Sequence, residues 1–343
     1  MIPIKNIFYM LAYAFKALNS QGYRKIETED FENVADLCSA ILIMGITSQI
    51  KQGLNRDYLE QNEPISSLRG RIDLTKSIKE QTFLKRQMYC QFDEFTTNSY
   101  MNRILKTTME LLIRSDTKAS RKKELRRLLA YFVDVETLDV SSIDWHQRYN
   151  RNNQTYRMLI SICYLVIKGL LQSQSDGTTK LMDFLDDQHM HRLYEKFIYE
   201  YYVKEFPNIK TSSPQINWAI DDGYIDMLPV MQSDVVLERD DNILIIDAKY
   251  YSHNLQTQFD SRSIHSGNLY QIFTYTKNMS LEVGDEKKVS GLLLYAKTDA
   301  FVQPDHSYSM SGNQIGAKTL NLDCDFTEVK RQLNDIALQY FEI

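Results

Sequence analysis

The sequence predicts two domains of mixed α and β structure (α+β or α/β): a mostly helical first half with a small β region, then a central mixed sheet flanked by helices. Two patterns carry this. Apolar residues recur at helical spacing through the first half, as in Ile7, Met10, Leu11, Ala14, Phe15 and Leu18, the mark of a helix with one buried face. In the second half, short runs rich in Val, Ile and Leu alternate with helical patterns, which is the order of helices packed on a sheet. A chain of 343 residues is long enough to bury two cores.

Taken in order, the first helix is followed by a second, capped by Thr28 or Asp30 and running to about Thr47. A β-leaning region spans about Tyr58 to Asp73, where Arg69 and Arg71 flank Gly70. That turn reads either as solvated charges between strands or as a place where the backbone approaches a partner. Helices follow at about Asn98 to Ile113 and across the basic run Lys118 to Arg127, whose charges can meet phosphates or simply face solvent. A further apolar helix spans Tyr156 to Gln172, and Ser173 to Gly177 reads as a loop. The domain boundary falls within 155–180, giving domains 1–165 and 166–343. The second half reads as a helix from Leu181 to Phe206 and strands at Ile216–Ile220, Asp234–Arg239 and Ile243–Tyr250. A helix at Gly267–Lys277, strands at Val289–Tyr295 and Thr319–Leu322, and a last helix from Thr327 to Phe341 complete it.

The net charge of -5 argues against coating of the whole surface by nucleic acid but allows a local basic groove. Cys38, Cys90, Cys163 and Cys324 have no paired spacing and read as free thiols of a reducing compartment. The uncharged run from Asn6 to Phe15 is about half a membrane span and lacks signal-peptide flanks. A cytoplasmic protein with no membrane contact is expected.

The chemistry concentrates at Ser233 to Lys249. Two β-rich runs flank Asp240-Asp241, which reads as a two-residue hairpin loop pairing Arg239 with Asn242. Counting outward sets Asp234 opposite Asp247, with Cβ atoms about 5 Å apart, and Lys249 on the same face as Asp247. Opposed like charges destabilise a sheet, so a bound cation is the natural reason to keep them. On the preceding helix, Glu200 has Lys196 and Lys204 four residues away on either side and reads as a solvated ion-pair face. Glu195 instead shares a face with Ile198, Tyr199 and Tyr202, so it reads as a third ligand or as a carboxylate bonded to a tyrosine. Asn268, Gln271 and Tyr275 form a polar stripe on the next helix, facing either solvent or the site. Two resemblances are decoys: Gly312 to Thr319 lacks the second glycine of a P-loop, and His189 and His191, two apart on a helix, make a poor chelate.

With only oxygen ligands on offer, Mg²⁺ or Mn²⁺ is the expected ion, held by Asp234, Asp247 and the Ala248 carbonyl, with Glu195 direct or through water. Lys249 would orient the attacking water and meet charge on a phosphorane-like transition state. Phosphodiester hydrolysis fits this set.

The pattern Asp234…Asp247-Ala248-Lys249 resembles the PD-(D/E)XK nuclease signature. The wider chain resembles the McrC family at Ile4 to Ala14, Gly70-Arg71-Ile72-Asp73, Asn102 to Lys106, Leu193 to Phe197, Asp247 to Tyr251 and Asn268 to Gln271. That resemblance implies an endonuclease subunit of a McrBC system restricting double-stranded DNA that carries modified cytosine. It also implies a McrB-like AAA+ GTPase as a hexameric ring, which binds the GTP, with the N-terminal half of this chain docking into it and stimulating hydrolysis. Catalytic positions then fall on Asp234, Asp247, Lys249 and Glu195, and Gln271 and Tyr275 match a QxxxY helix seen in such nucleases. The alternatives are a mainly regulatory subunit of the GTPase, or a stand-alone repair nuclease of the same fold.

Overall fold

A computed structural model describes residues 2–15, 18, 26, 29, 31, 33–150, 153–175, 187–250, 255–258, 261–298 and 303–341, with the backbone alone for 169–175, 187–189, 255–258 and 261–262. The chain divides into two compact units, Met1–Glu29 with Leu185–Ile343, and Asp30–Phe184.

The unit Asp30–Phe184 is mostly helical. After the first helix of the chain, α1 (Ile4–Ala14), which belongs to the other unit, comes α2 (Val34–Gln52). The cap of α2 is Asn33, whose side chain accepts the Asp36 N–H at 2.8 Å; the expected caps Thr28 and Asp30 lie outside the described residues. By length and composition α2 could cross a membrane, but its buried face, including Leu37, Ile41 and Leu42, packs within this unit. Asp36 is fully buried and paired with Arg121 Nε at 2.8 Å and Lys118 Nζ at 3.6 Å. Two members of the basic run therefore anchor a helix instead of facing solvent or phosphates, while Lys123, Arg126 and Arg127 are exposed.

Next come β1 (Asp57–Ile65), β2 (Arg71–Ile72), α3 (Leu74–Lys79) and β3 (Met88–Thr96), with strand order β1-β3-β2. The nine residues of β1 pair antiparallel with β3, from Asp57↔Thr96 to Ile65↔Met88. Gly70 has φ +70°, and a Cβ there would lie 2.2 Å from the Gln91 carbonyl oxygen. The close backbone approach at this turn is thus to the neighbouring strand. Arg69 lays its guanidinium over the Phe92 ring at 3.7 Å. The remaining helices are α4 (Tyr100–Arg114), α5 (Ala119–Leu129) and α6 (Tyr156–Ser175). Asn102, fully buried, donates to the carbonyls of Asn55 and Thr97 at 2.8 Å each and accepts the Tyr156 hydroxyl at 2.8 Å. Buried polar groups that are fully bonded rigidify a core instead of destabilising it.

The other unit contains α7 (Asp187–Glu205), β4 (Lys210–Ser212), β5 (Gln215–Ile216), β6 (Met231–Gln232), β7 (Val235–Arg239) and β8 (Asn242–Lys249). It continues with β9 (Leu255–Gln258), β10 (Ser261–Ile264), α8 (Ser266–Val283), β11 (Lys288–Ala296), β12 (His306–Met310), β13 (Asn313–Leu320) and α9 (Phe326–Phe341). Among the described residues the main sheet has the order β12-β13-β11-β8-β7-β4. β11 runs parallel to both β8 and β13, and the other pairs are antiparallel. This is the expected mixed sheet flanked by helices. Its central strands are buried along nearly their whole length, as strands covered on both faces must be. The expected strand at 216–220 shrinks to Gln215–Ile216, which pairs with β6 in a separate ribbon. Gly312 to Thr319 is a turn running into β13, with Gly312 at φ +86°, so it cannot cradle a phosphate ahead of a helix.

The units differ from the expected domains 1–165 and 166–343 at both ends: the helical unit runs on to Phe184, past the whole of α6, and α1 belongs with the sheet unit. Asn6, 3% exposed, donates from Nδ2 to the carbonyls of Leu322 (2.8 Å) and Cys324 (2.7 Å). Tyr9 stacks on Phe326 with ring centroids 4.3 Å apart, and Tyr13 donates its hydroxyl to Glu205 at 2.6 Å. Lys196 and Lys204, expected to pair with Glu200, place their ammonium groups over the rings of Phe15 (4.2 Å) and Tyr13 (4.6 Å). Helical periodicity reports that a face is buried, not what buries it. Removing the Asn6 amide strands two carbonyls, so Asn6→Ala is expected to cost about 1–3 kcal/mol in urea denaturation, and a loss below a few tenths would count against this anchoring.

Candidate active site

The β7–β8 hairpin closes as predicted: Arg239 pairs with Asn242 around Asp240 and Asp241. Asp240 takes φ +50°, the left-handed conformation that such two-residue turns need and that Asp tolerates. The ladder ends at Val235↔Ile246, and Asp234, one residue further out, comes opposite Asp247 by the same register. Its Oδ2 accepts the Ala248 N–H at 2.9 Å.

Alternation along β8 puts Ile243, Ile245, Asp247 and Lys249 on one face. Ile243 and Ile245 pack there with Ile272 and Tyr275 of α8. The face thus turns from apolar to ionic at the carboxyl end of the strand. Asp247 is 1% and Lys249 7% exposed, and Lys249 Nζ lies 2.8 Å from Asp247 Oδ2. Lys249 also donates to Gln271 Oε1 at 3.2 Å, and Gln271 Nε2 donates to the Tyr275 hydroxyl at 3.0 Å. Asn268 is buried and donates to the Tyr295 hydroxyl at 3.1 Å. The polar stripe on α8 therefore faces inward. Gly291 on β11 lets it come so close, since a Cβ there would sit 2.3 Å from Thr276 Oγ1.

Glu195, on α7, bonds no tyrosine among the described residues: its Oε1 lies 2.9 Å from His191 Nε2. His191 accepts the Tyr250 N–H on Nδ1 at 3.4 Å. His191 is the residue that sequence reasoning missed. Its spacing of two from His189 makes a poor chelate, and its spacing of four from Glu195 is the usable signal.

The three carboxylates sense one another. Burial is the main cause that holds the Asp234 carboxyl well above the usual carboxylate range, followed by the negative charges of Asp247 and Glu195; the Ala248 N–H and Lys249 oppose it. Burial likewise raises Asp247, against the pull and the hydrogen bond of Lys249. Asp247 Oδ2 has no hydrogen bond of good geometry; the Lys249 ammonium 2.8 Å away is what compensates it. Among the described residues, no three His, Cys, Asp or Glu side chains are already gathered as a ligand cluster, because each acid is held by its own protein partner. The donors nonetheless fit a hard dication in kind: oxygen atoms only, with a buried carboxylate oxygen short of hydrogen bonds.

The family described as "McrBC 5-methylcytosine restriction system component" matches residues 4–296. The chain belongs to the McrBC restriction family. Across 349 aligned residues it is 30% identical to the Escherichia coli K12 protein named "Type IV methyl-directed restriction enzyme EcoKMcrBC", covering 99% of each. Two solved structures from Thermococcus gammatolerans are also similar. One, a half-complex from a tetradecameric assembly of McrB AAA+ hexamers with bound McrC, is 17% identical with TM-score 0.49, covering 97% of this chain and 76% of that one. The other, a McrBC complex, is 17% identical with TM-score 0.39, covering 59% and 58%. The present chain is thus a component of a McrBC-type restriction system.

The raised carboxyls make a stability prediction. A group whose folded pKa lies above its unfolded value stabilises the fold while protonated in both states and loses that contribution as pH rises through the folded value. In chelator-containing buffer, stability should therefore fall as pH rises from about 4 toward neutrality. Asp234→Asn, which can still accept the Ala248 N–H, should flatten that fall and gain on the parent protein by more than about 1 kcal/mol near neutral pH. Parallel pH–stability curves for the two proteins would contradict the assignment.

Proposed function

We propose that the sheet unit of this McrBC-family chain is a Mg²⁺- or Mn²⁺-dependent endonuclease that cleaves DNA containing modified cytosine inside a GTP-driven complex. The observation that carries this reading is the meeting of Asp234, Asp247 and Lys249 at the buried end of one hairpin, with Gln271 holding the lysine. Asp234, Asp247 and the Ala248 carbonyl would hold the cation, with Glu195 at the margin. When bound, the ion supplies positive charge that polarises the scissile phosphodiester. Lys249 presents an ammonium that orients the attacking water and meets charge growing on the phosphoryl oxygens. Gln271, itself held by Tyr275, fixes where that ammonium points. A buried, prepositioned charge costs little reorganisation as the reaction proceeds.

The partner is a McrB-like AAA+ GTPase ring, as family membership implies, and it would bind the GTP and select the DNA. The surface proposed to meet it is the small sheet with α3 in the unit Asp30–Phe184. Leu68, Leu74, Ile78, Phe83 and Leu84 are all more than half exposed there, and exposed large apolar side chains concentrated in one short stretch of chain favour an interface.

Co-expression with a McrB-like AAA+ GTPase, with methylated or unmethylated DNA and with or without GTP, tests the reading. Asp234→Ala or Lys249→Ala is expected to reduce cleavage by about a hundredfold or more and to leave stimulation of the partner's GTPase intact. A Lys249→Ala protein that cuts normally would overturn the site. Cleavage by this chain alone, with Mg²⁺ and no nucleotide, would favour a stand-alone nuclease. Arg71→Ala combined with Arg69→Ala is expected to weaken GTPase stimulation several-fold while DNA-free folding, followed by circular dichroism, is retained. Unchanged stimulation would move the docking surface elsewhere.

A further inference from the structure

We infer that His191 is a positioning residue that aims the Glu195 carboxylate toward Asp234 and Asp247 and thereby sets how tightly the site holds a divalent cation. The inference rests on the metal-dependent reading above and adds a residue to it.

His191 lies one helical turn before Glu195 on α7 and makes two directed contacts among the described residues. Nδ1 accepts a backbone N–H, that of Tyr250 at 3.4 Å, so Nδ1 carries the lone pair and the proton sits on Nε2. Nε2, 2.9 Å from Glu195 Oε1, then donates to the carboxylate. The backbone contact selects the tautomer, and the neutral ring is sufficient for the task. Tyr250 directly follows Lys249, so the imidazole ties the helix that carries Glu195 to the strand end that carries Asp247 and Lys249. Glu195 needs such a tie. Its side chain is 31% exposed, and a long carboxylate side chain in that setting samples many rotamers, each fixed only at an entropic cost. A partner that orients a ligating carboxylate raises metal affinity without touching the metal.

The test uses the full-length chain and Mn²⁺ as the probe, with affinity measured by isothermal titration calorimetry and by loss of the free-ion electron paramagnetic resonance signal. His191→Ala is expected to weaken Mn²⁺ binding about tenfold or more, and to raise by a similar factor the Mn²⁺ concentration giving half-maximal cleavage with the GTPase partner. His191→Gln, whose amide can still donate to Glu195, should recover most of that loss. In the double variant with Glu195→Ala, removing His191 should cost nothing further, because a positioning residue has nothing left to position. Unchanged Mn²⁺ affinity in His191→Ala, no recovery with glutamine, or additive losses in the double variant would overturn the inference. Asp247→Asn separates this from failure of the site itself. If Asp247→Asn loses Mn²⁺ and His191→Ala does not, the inference about His191 falls alone; if Asp247→Asn binds like the parent, the metal site falls and the inference with it.

Discussion

The buried ion pair of Asp247 and Lys249 is the constraint around which the sheet unit is arranged. Taking two charges out of water costs several kcal/mol per ion even after relaxation, and their attraction offsets this only with good geometry and further hydrogen bonds. Here the contact is 2.8 Å, and Gln271 adds a neutral acceptor for the ammonium. An apolar pair of similar size would serve stability as well or better. The charges therefore report function more than folding. Asp234 and Glu195 add negative charge beside the pair, so the cluster is acid-rich even with the lysine present.

The sheet supplies the rigidity that such a cluster needs. β8 has a parallel neighbour in β11 and an antiparallel one in β7, so the backbone that presents Asp247 is bonded on both sides. α8 reaches the same face because β11 carries glycine at 291, where any side chain would push against Thr276. In open sheets of this kind, sites form beyond the carboxyl ends of strands, where side chains leave the packed core and helix layers part. The four-residue step from Ile243 to Asp247 passes from that core into the cluster.

Much of this was legible in the sequence, because it depended on local rules. The hairpin register followed from a two-residue Asp-Asp loop and strict alternation, and both are properties of a few adjacent residues. What stayed hidden involved choices among distant partners. Amphipathic spacing in α1 could not say that its polar Asn6 would bond carbonyls more than three hundred residues away. The stripe of Asn268, Gln271 and Tyr275 has the same spacing whether it faces water or a buried ammonium. β3 and α3 escaped because the segment 74–97 is rich in exposed and charged side chains, and its short apolar face lacks a clear period. His191 was hidden by its neighbour: the two histidines invited judgement as a pair, while the residue that mattered to one of them was an acid on the next turn.

The placement of α1 has a bearing on how the protein comes into being. Ile4–Ala14 is translated before the surfaces that receive Asn6, Tyr9 and Tyr13, which lie on α7, on α9 and on the loop before α9. The intervening unit Asp30–Phe184 emerges and has its own core available while α1 waits without its partners. The sheet unit can close around α1 only after α9 has been translated, so its carboxylate cluster is completed after the core of the intervening unit can form. A chain cut short before α9 has no completed scaffold on which to hold the acids in place, so order of synthesis itself delays the cluster.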